Sequence, residues 1–77
     1  MDRYWVTRKY KRVAIVRERD RILTIGRLAG TADGSPAGWY DASYLLEDVF
    51  MDPDYIEVTA EAAREIAETA GIPLCGL

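Results

Sequence analysis

The side chains that carry most protein chemistry are scarce in this chain. It has no histidine and a single cysteine, Cys75. Without histidine there is no Ser-His-Asp or Cys-His triad, and the usual catalytic zinc ligand sets are missing. Cys75 has no base near it in sequence to hold it as a thiolate, so it reads as a half-buried apolar side chain. Carboxylates are plentiful but badly spaced. A calcium loop counted from Asp52, through Asp54, puts Glu57 where the turn glycine belongs and Ala63 where the bidentate glutamate belongs. Glu47 and Asp48 are adjacent and diverge on a helix, which is poor geometry for a two-carboxylate mechanism. The glycines of residues 29–38 follow neither G-x-G-x-x-G nor the phosphate-loop pattern. The expectation is a non-enzymatic protein with no metal, no cofactor and no catalytic residue.

What remains is charge, and it is lopsided. Residues 1–28 hold nine of the ten basic residues and three acids, a net +6. Residues 29–77 hold ten acids and only Arg64, a net −9. Such a split points to a charged partner or to two halves that attract each other. In the basic part, RYWVTRKYKR interleaves cations and aromatics, so Trp5, Arg8, Lys9, Tyr10, Lys11 and Arg12 are candidates for phosphate contact and base stacking. The stretch matches no RNP, KH or helix-turn-helix pattern. Its plainer reading is a strand with aromatics turned inward and cations in water.

In the acidic part, Glu47, Asp48, Asp52 and Asp54 crowd the expected C-terminal end of a helix. Acids there oppose the helix dipole, at a cost of about 0.3–1 kcal/mol each. Either the basic sheet neutralises them, or they form a surface for a basic partner. Tyr55 stands beside them as an aromatic anchor, with Glu57 next along. Glu61, Glu65 and Glu68 extend the negative area if the helices lie side by side.

These side chains need elements to position them. Residues 3–10 are β-branched and aromatic and read as a first strand, with Tyr4, Val6 and Arg8 on one face and Trp5, Thr7 and Lys9 on the other. Lys11 and Arg12 mark the bend into a central hairpin over residues 12–28, RVAIVRERDRILTIGRL. A loop over residues 18–21 would pair Arg17 with Ile22, Val16 with Leu23, Ile15 with Thr24 and Ala14 with Ile25. Ala14, Val16, Leu23 and Ile25 then share the core face. Val13, Ile15, Ile22 and Thr24 share a second face that is too apolar to be simply solvated. Residues 29–38 read as a flexible loop.

Asp41 is expected to cap a helix that buries Ala42, Leu45, Leu46, Val49 and Phe50 and ends at Asp52-Pro53, with Tyr40 as a hydrophobic staple. Trp39 and Tyr40, at the loop-helix junction, read as core or as interface anchors. Residues 54–58 form a short strand. Thr59 caps a second helix with a small-residue face, Ala62, Ala63, Ile66, Ala67 and Ala70, and a wet face, Glu61, Arg64, Glu65 and Glu68. Gly71 is the left-handed terminator, with Ile72 folding back, and the tail after Pro73 is loose or lightly docked.

The expected class is α+β, in the order β-β-β-α-β-α. A small antiparallel sheet of three strands plus a short fourth carries two helices packed on one face. Residues 1–77 form a single domain: 1–28 a basic β part, 29–38 a loop, 39–77 an acidic helical part. A chain of 77 residues is marginally stable unless well packed or helped by a partner. The start MDRYWVTRKY lacks the apolar region of a signal peptide, no run is long enough to span a membrane, and one cysteine suits a reducing compartment. The expected location is a cytoplasm, bacterial or that of a host cell. The expected role is inhibition of a nucleic-acid-handling complex, with the acidic side set against that partner's basic surface, as phage-encoded anti-CRISPR proteins do. Alternatives are a nucleic-acid-binding module using the basic strand, or an accessory subunit or homodimer pairing through a sheet edge.

Overall fold

A computed structural model describes residues 2–8, 13–27 and 36–77. The class is α+β, built on a five-stranded antiparallel sheet. The strands are β1 (Arg3–Thr7), β2 (Ala14–Arg19), β3 (Ile22–Arg27), β4 (Gly38–Asp41) and β5 (Ile56–Val58), in the spatial order β4-β3-β2-β1-β5. Between β4 and β5 lie a 3-10 turn, Ser43–Leu45, and a one-turn helix α1, Asp48–Met51. Helix α2, Ala60–Ala70, follows β5, and a second 3-10 turn, Leu74–Gly76, closes the chain. The sheet has one strand more than expected, because Gly38–Asp41 pairs with β3 instead of leading into a helix.

The two helices do not share a face. Side chains alternate across a strand, so neighbours in β1 and β2 point to opposite sides. Trp5, Ala14, Val16, Leu23 and Ile25 pack with Ala42, Leu45, Val49 and Tyr55. Tyr4, Val13 and Ile15 pack with Ala63, Ala67 and Ile72. The α1 layer therefore covers one face and α2 the other. This answers the apolar second face: Ile15 is fully buried beneath α2.

The hairpin is tighter than the sequence suggests. Arg19 pairs with Ile22, Arg17 with Thr24, and Val16 with Ile25. Asp20 and Arg21 form the whole loop, with φ of 53° and 66°. Positive φ at both loop positions is the primed-turn geometry whose twist matches the flanking strands. The shift leaves every side chain on its expected face, since Val16 and Ile25 still point to the same side.

The expected helix over residues 41–51 breaks into two short pieces. Ala42, not Asp41, precedes the first turn, and Asp41 instead accepts a hydrogen bond from Ser43 Oγ at 2.9 Å. The Ala42 amide is tied to the Leu23 carbonyl at 2.8 Å, which fixes the start of this layer against β3. A 3-10 turn has three residues per turn, so the apolar stripe is no longer continuous. Ala42, Leu45 and Val49 stay inside, while Leu46 and Phe50 roll outward.

The second helix follows its sequence signals. Thr59 Oγ1 accepts from the Ala62 amide at 3.1 Å, and Gly71 closes the helix at φ 86°. The Gly71 and Ile72 amides both donate to the Ala67 carbonyl, which brings Ile72 back against Ala67. The tail is firmly docked, more than expected. Trp39 Nε1 donates to the Pro73 carbonyl at 2.6 Å, Arg17 Nη1 donates to the Gly76 carbonyl, and Tyr4 Oη donates to the Leu77 carbonyl at 3.2 Å. Of the expected connections, the bend at residues 9–12 and residues 29–35 of the loop lie outside the described residues.

Candidate functional site

The acids of the first helical layer stand differently from the expectation. Because α1 begins at Asp48, Glu47 and Asp48 sit at its N-terminal end, where a negative charge complements the helix dipole. These two do not burden a C-terminus; of the four acids expected there, only Asp52 and Asp54 stand at or beyond the C-terminal end of α1. Asp52 ends α1 in extended backbone, and its Oδ1 accepts the Asp54 amide at 2.9 Å, so it shapes the turn into β5. Tyr55 is buried at 5% exposure and belongs to the core beneath α1, so its ring is no surface anchor. Glu47, Asp48 and Asp54 are exposed. Among the described residues no ion pair engages these three.

Two other carboxylates are spent on arginines of the same chain. Both oxygens of Glu57 accept from Arg3, from Nε and Nη2, each at 2.9 Å. This hydrogen-bonded pair holds the Glu57 carboxyl below its usual pKa. Asp2 accepts from Arg19 Nε at 2.9 Å and from Nη2 at 2.6 Å. The same guanidinium pulls its pKa down to about 2. Glu61, Glu65 and Glu68 are exposed on α2, with Glu68 near Arg64 at 3.5 Å. Because α2 covers the opposite face from α1, these three do not extend the area around Glu47 and Asp48.

Beside Glu47 lies an apolar area the sequence reading missed. Leu46, Phe50 and Met51 are exposed and line one open groove of about 580 Å³. Its remaining lining is Glu47 from the α1 layer, and Glu18 and Arg21 from the hairpin. Tyr44 is also exposed on the preceding turn. One signal was available: Val49, Phe50 and Met51 are consecutive and span about 200° of a helix, wider than one buried stripe. Arg3 extends over this region. Its guanidinium carbon lies 5.1 Å from the Trp5 ring centre and 5.0 Å from that of Phe50, and Phe50 meets Trp5 edge-on at 5.3 Å.

Two of the basic stretch's candidate nucleic-acid contacts, Trp5 and Arg8, lie among the described residues. Trp5 is 2% exposed and sits in the core, so it cannot stack on a base. Arg8 is exposed; Lys9, Tyr10, Lys11 and Arg12 lie outside the described residues. Trp39 and Tyr40 are strand residues on opposite faces: Trp39 packs near α2 and Tyr40 against the other core. Among the described residues no group of three acids, histidines or cysteines is arranged to hold a metal ion, and no helix is long and apolar enough to cross a membrane. Comparison with protein-family models, curated proteins and solved structures gives no match.

Proposed function

We propose that this chain is a non-enzymatic binding protein that presses its α1 face against a basic surface of a nucleic-acid-handling protein and thereby inhibits it. The observation that carries the reading is one groove in which Leu46, Phe50 and Met51 stay in water beside Glu47. An exposed apolar patch with a polar rim is the ordinary anatomy of a protein interface. Glu47, with Asp48 exposed beside it, gives that interface a sign; among the described residues neither forms an ion pair. Carboxylates seated where phosphates would sit block such a partner without any chemistry, which suits a chain poor in catalytic side chains. Phage anti-CRISPR proteins are the class of inhibitor this describes, and a bacterial or host cytoplasm is the setting it implies.

The test uses charge reversal and competition. Glu47 and Asp48 are changed together to lysine. A partner bound by the native chain should be lost by this variant, while far-UV circular dichroism and melting stay unchanged. Adding the native chain to that partner should release its DNA or RNA. Tight, salt-sensitive binding of short DNA or RNA by the chain alone would overturn the proposal in favour of the basic strand. A second reading is pairing through a sheet edge, with a copy of the chain or with another subunit. It is favoured by Ile56, 64% exposed on the edge strand β5. Sedimentation of the purified protein as a stable dimer would support it.

A further inference from the structure

Phe50 and Met51 are 50% and 82% exposed on a helix of a single turn. With Leu46 they form the apolar part of the groove, and Glu18 and Arg21 bring the β2–β3 hairpin to its lining. Phe50 is not loose there. Its ring leans edge-on against buried Trp5 and carries the Arg3 guanidinium, which is itself held by Glu57. An apolar surface braced by the core is ordered before a ligand arrives, so binding loses little entropy in fixing it.

Charge selects the occupant. Glu18 and Glu47 line the groove with Arg21, and Asp48 is exposed one residue beyond Glu47. The excess is negative. It repels nucleic acid and anionic lipid, and it sets like against like in a symmetric contact between two copies. We propose that the groove receives one large apolar side chain from a basic segment of a partner protein, with lysines or arginines beside that side chain meeting Glu18, Glu47 and Asp48. This rests on the function proposed above and adds the anchor that would give it specificity. The apolar side chain supplies affinity by leaving water, and the flanking cations supply orientation and rate.

The experiment titrates the whole protein, labelled at its methionine methyl groups, with three short peptides. The first is lysine-rich with a central phenylalanine. The second has alanine in that place, and the third is glutamate-rich around the phenylalanine. The Met51 methyl resonance, assigned with Met51→Leu, reports the groove. The lysine-phenylalanine peptide should shift it saturably and bind about tenfold or more tighter than its alanine counterpart. Glu47→Lys with Asp48→Lys should weaken that binding by about tenfold with the fold unchanged.

Equal binding of the two lysine peptides would overturn the anchor and leave the acidic face standing. So would shifts of the Glu47 and Asp48 amides without a shift of the methyl. Equal binding of the glutamate-rich peptide, or no binding by any peptide, would overturn both the anchor and the function it rests on. A methyl shift that follows protein concentration alone would assign the groove to a second copy and overturn the proposal.

Discussion

Single side chains in this protein do their electrostatic work at the end of the sheet nearest the hairpin. Asp2 is held at about 2 by the Arg19 guanidinium, well below the usual carboxylate value, and Glu57 is lowered by Arg3. A carboxyl depressed in the folded state stabilises it above the unfolded pKa, about 3.9 for aspartate, and that contribution disappears as pH falls through the folded value. Melting temperature should therefore fall between about pH 4 and pH 2. Asp2→Asn should flatten part of that fall, which thermal melts of both proteins across the range would show. Arg21 offers an opposite effect. It occupies φ 66°, a left-handed position that costs an ordinary residue about 1 kcal/mol and costs glycine little. Arg21→Gly should raise the urea midpoint by an amount equivalent to about 1 kcal/mol. That would make this turn a place where the sequence does not maximise stability.

Elements were legible where one local signal decided them, and illegible where tertiary pairing did. The second helix carries its start in Thr59 and its stop in Gly71, and both act as expected. Thr59→Ala should cost about 1 kcal/mol in chemical denaturation, since the Ala62 amide loses its acceptor. The first helical layer was misread because Ala42, Leu45, Leu46, Val49 and Phe50 fit a 3.6-residue stripe, while the chain there turns partly with a three-residue period. That one difference moved Leu46 and Phe50 from the expected core to the candidate groove. It also moved Glu47 and Asp48 from the wrong end of a helix to the right one. The fourth strand was hidden for another reason: Gly38 to Asp41 is short, and the glycine-rich stretch between it and β3 is too long to announce a tight hairpin, so it read only as a loop. Trp39 was flagged only as a core or interface residue. Its work is to lie across Gly26, where an added Cβ would come within 2.7 Å of the indole, and to hold the tail through Pro73. Gly26→Ala should cost about 1–3 kcal/mol by overpacking. It should also shift Trp39 emission to longer wavelength.

The whole molecule is one sheet between two apolar layers, and each layer holds one tryptophan. Trp5 belongs to the α1 side and Trp39 to the α2 side. Neither layer is large enough to be stable alone: a chain of this length has a total stability on the order of 5 kcal/mol. The sheet is shared, because the same strands present Val16 to one layer and Ile15 to the other. Loss of either layer therefore exposes one side of every central strand, and the two should unfold together. Trp39→Phe leaves Trp5 as the reporter of one side, and Trp5→Phe leaves Trp39 as the reporter of the other. In each variant the fluorescence midpoint in urea should coincide with the far-UV circular dichroism midpoint. Ile72→Ala, buried beside α2, should cost about 2–4 kcal/mol. It should move the Trp5 transition on the far side of the sheet by the same free energy as the circular dichroism transition. If Trp39 emission changed at a lower urea concentration than the circular dichroism, α2 and the docked tail would be a separately melting layer. The α1 face would then keep its groove on a sheet stripped of its other cover. Coincident transitions make the groove a property of the whole fold, so that any substitution unfolding one layer abolishes binding at the other.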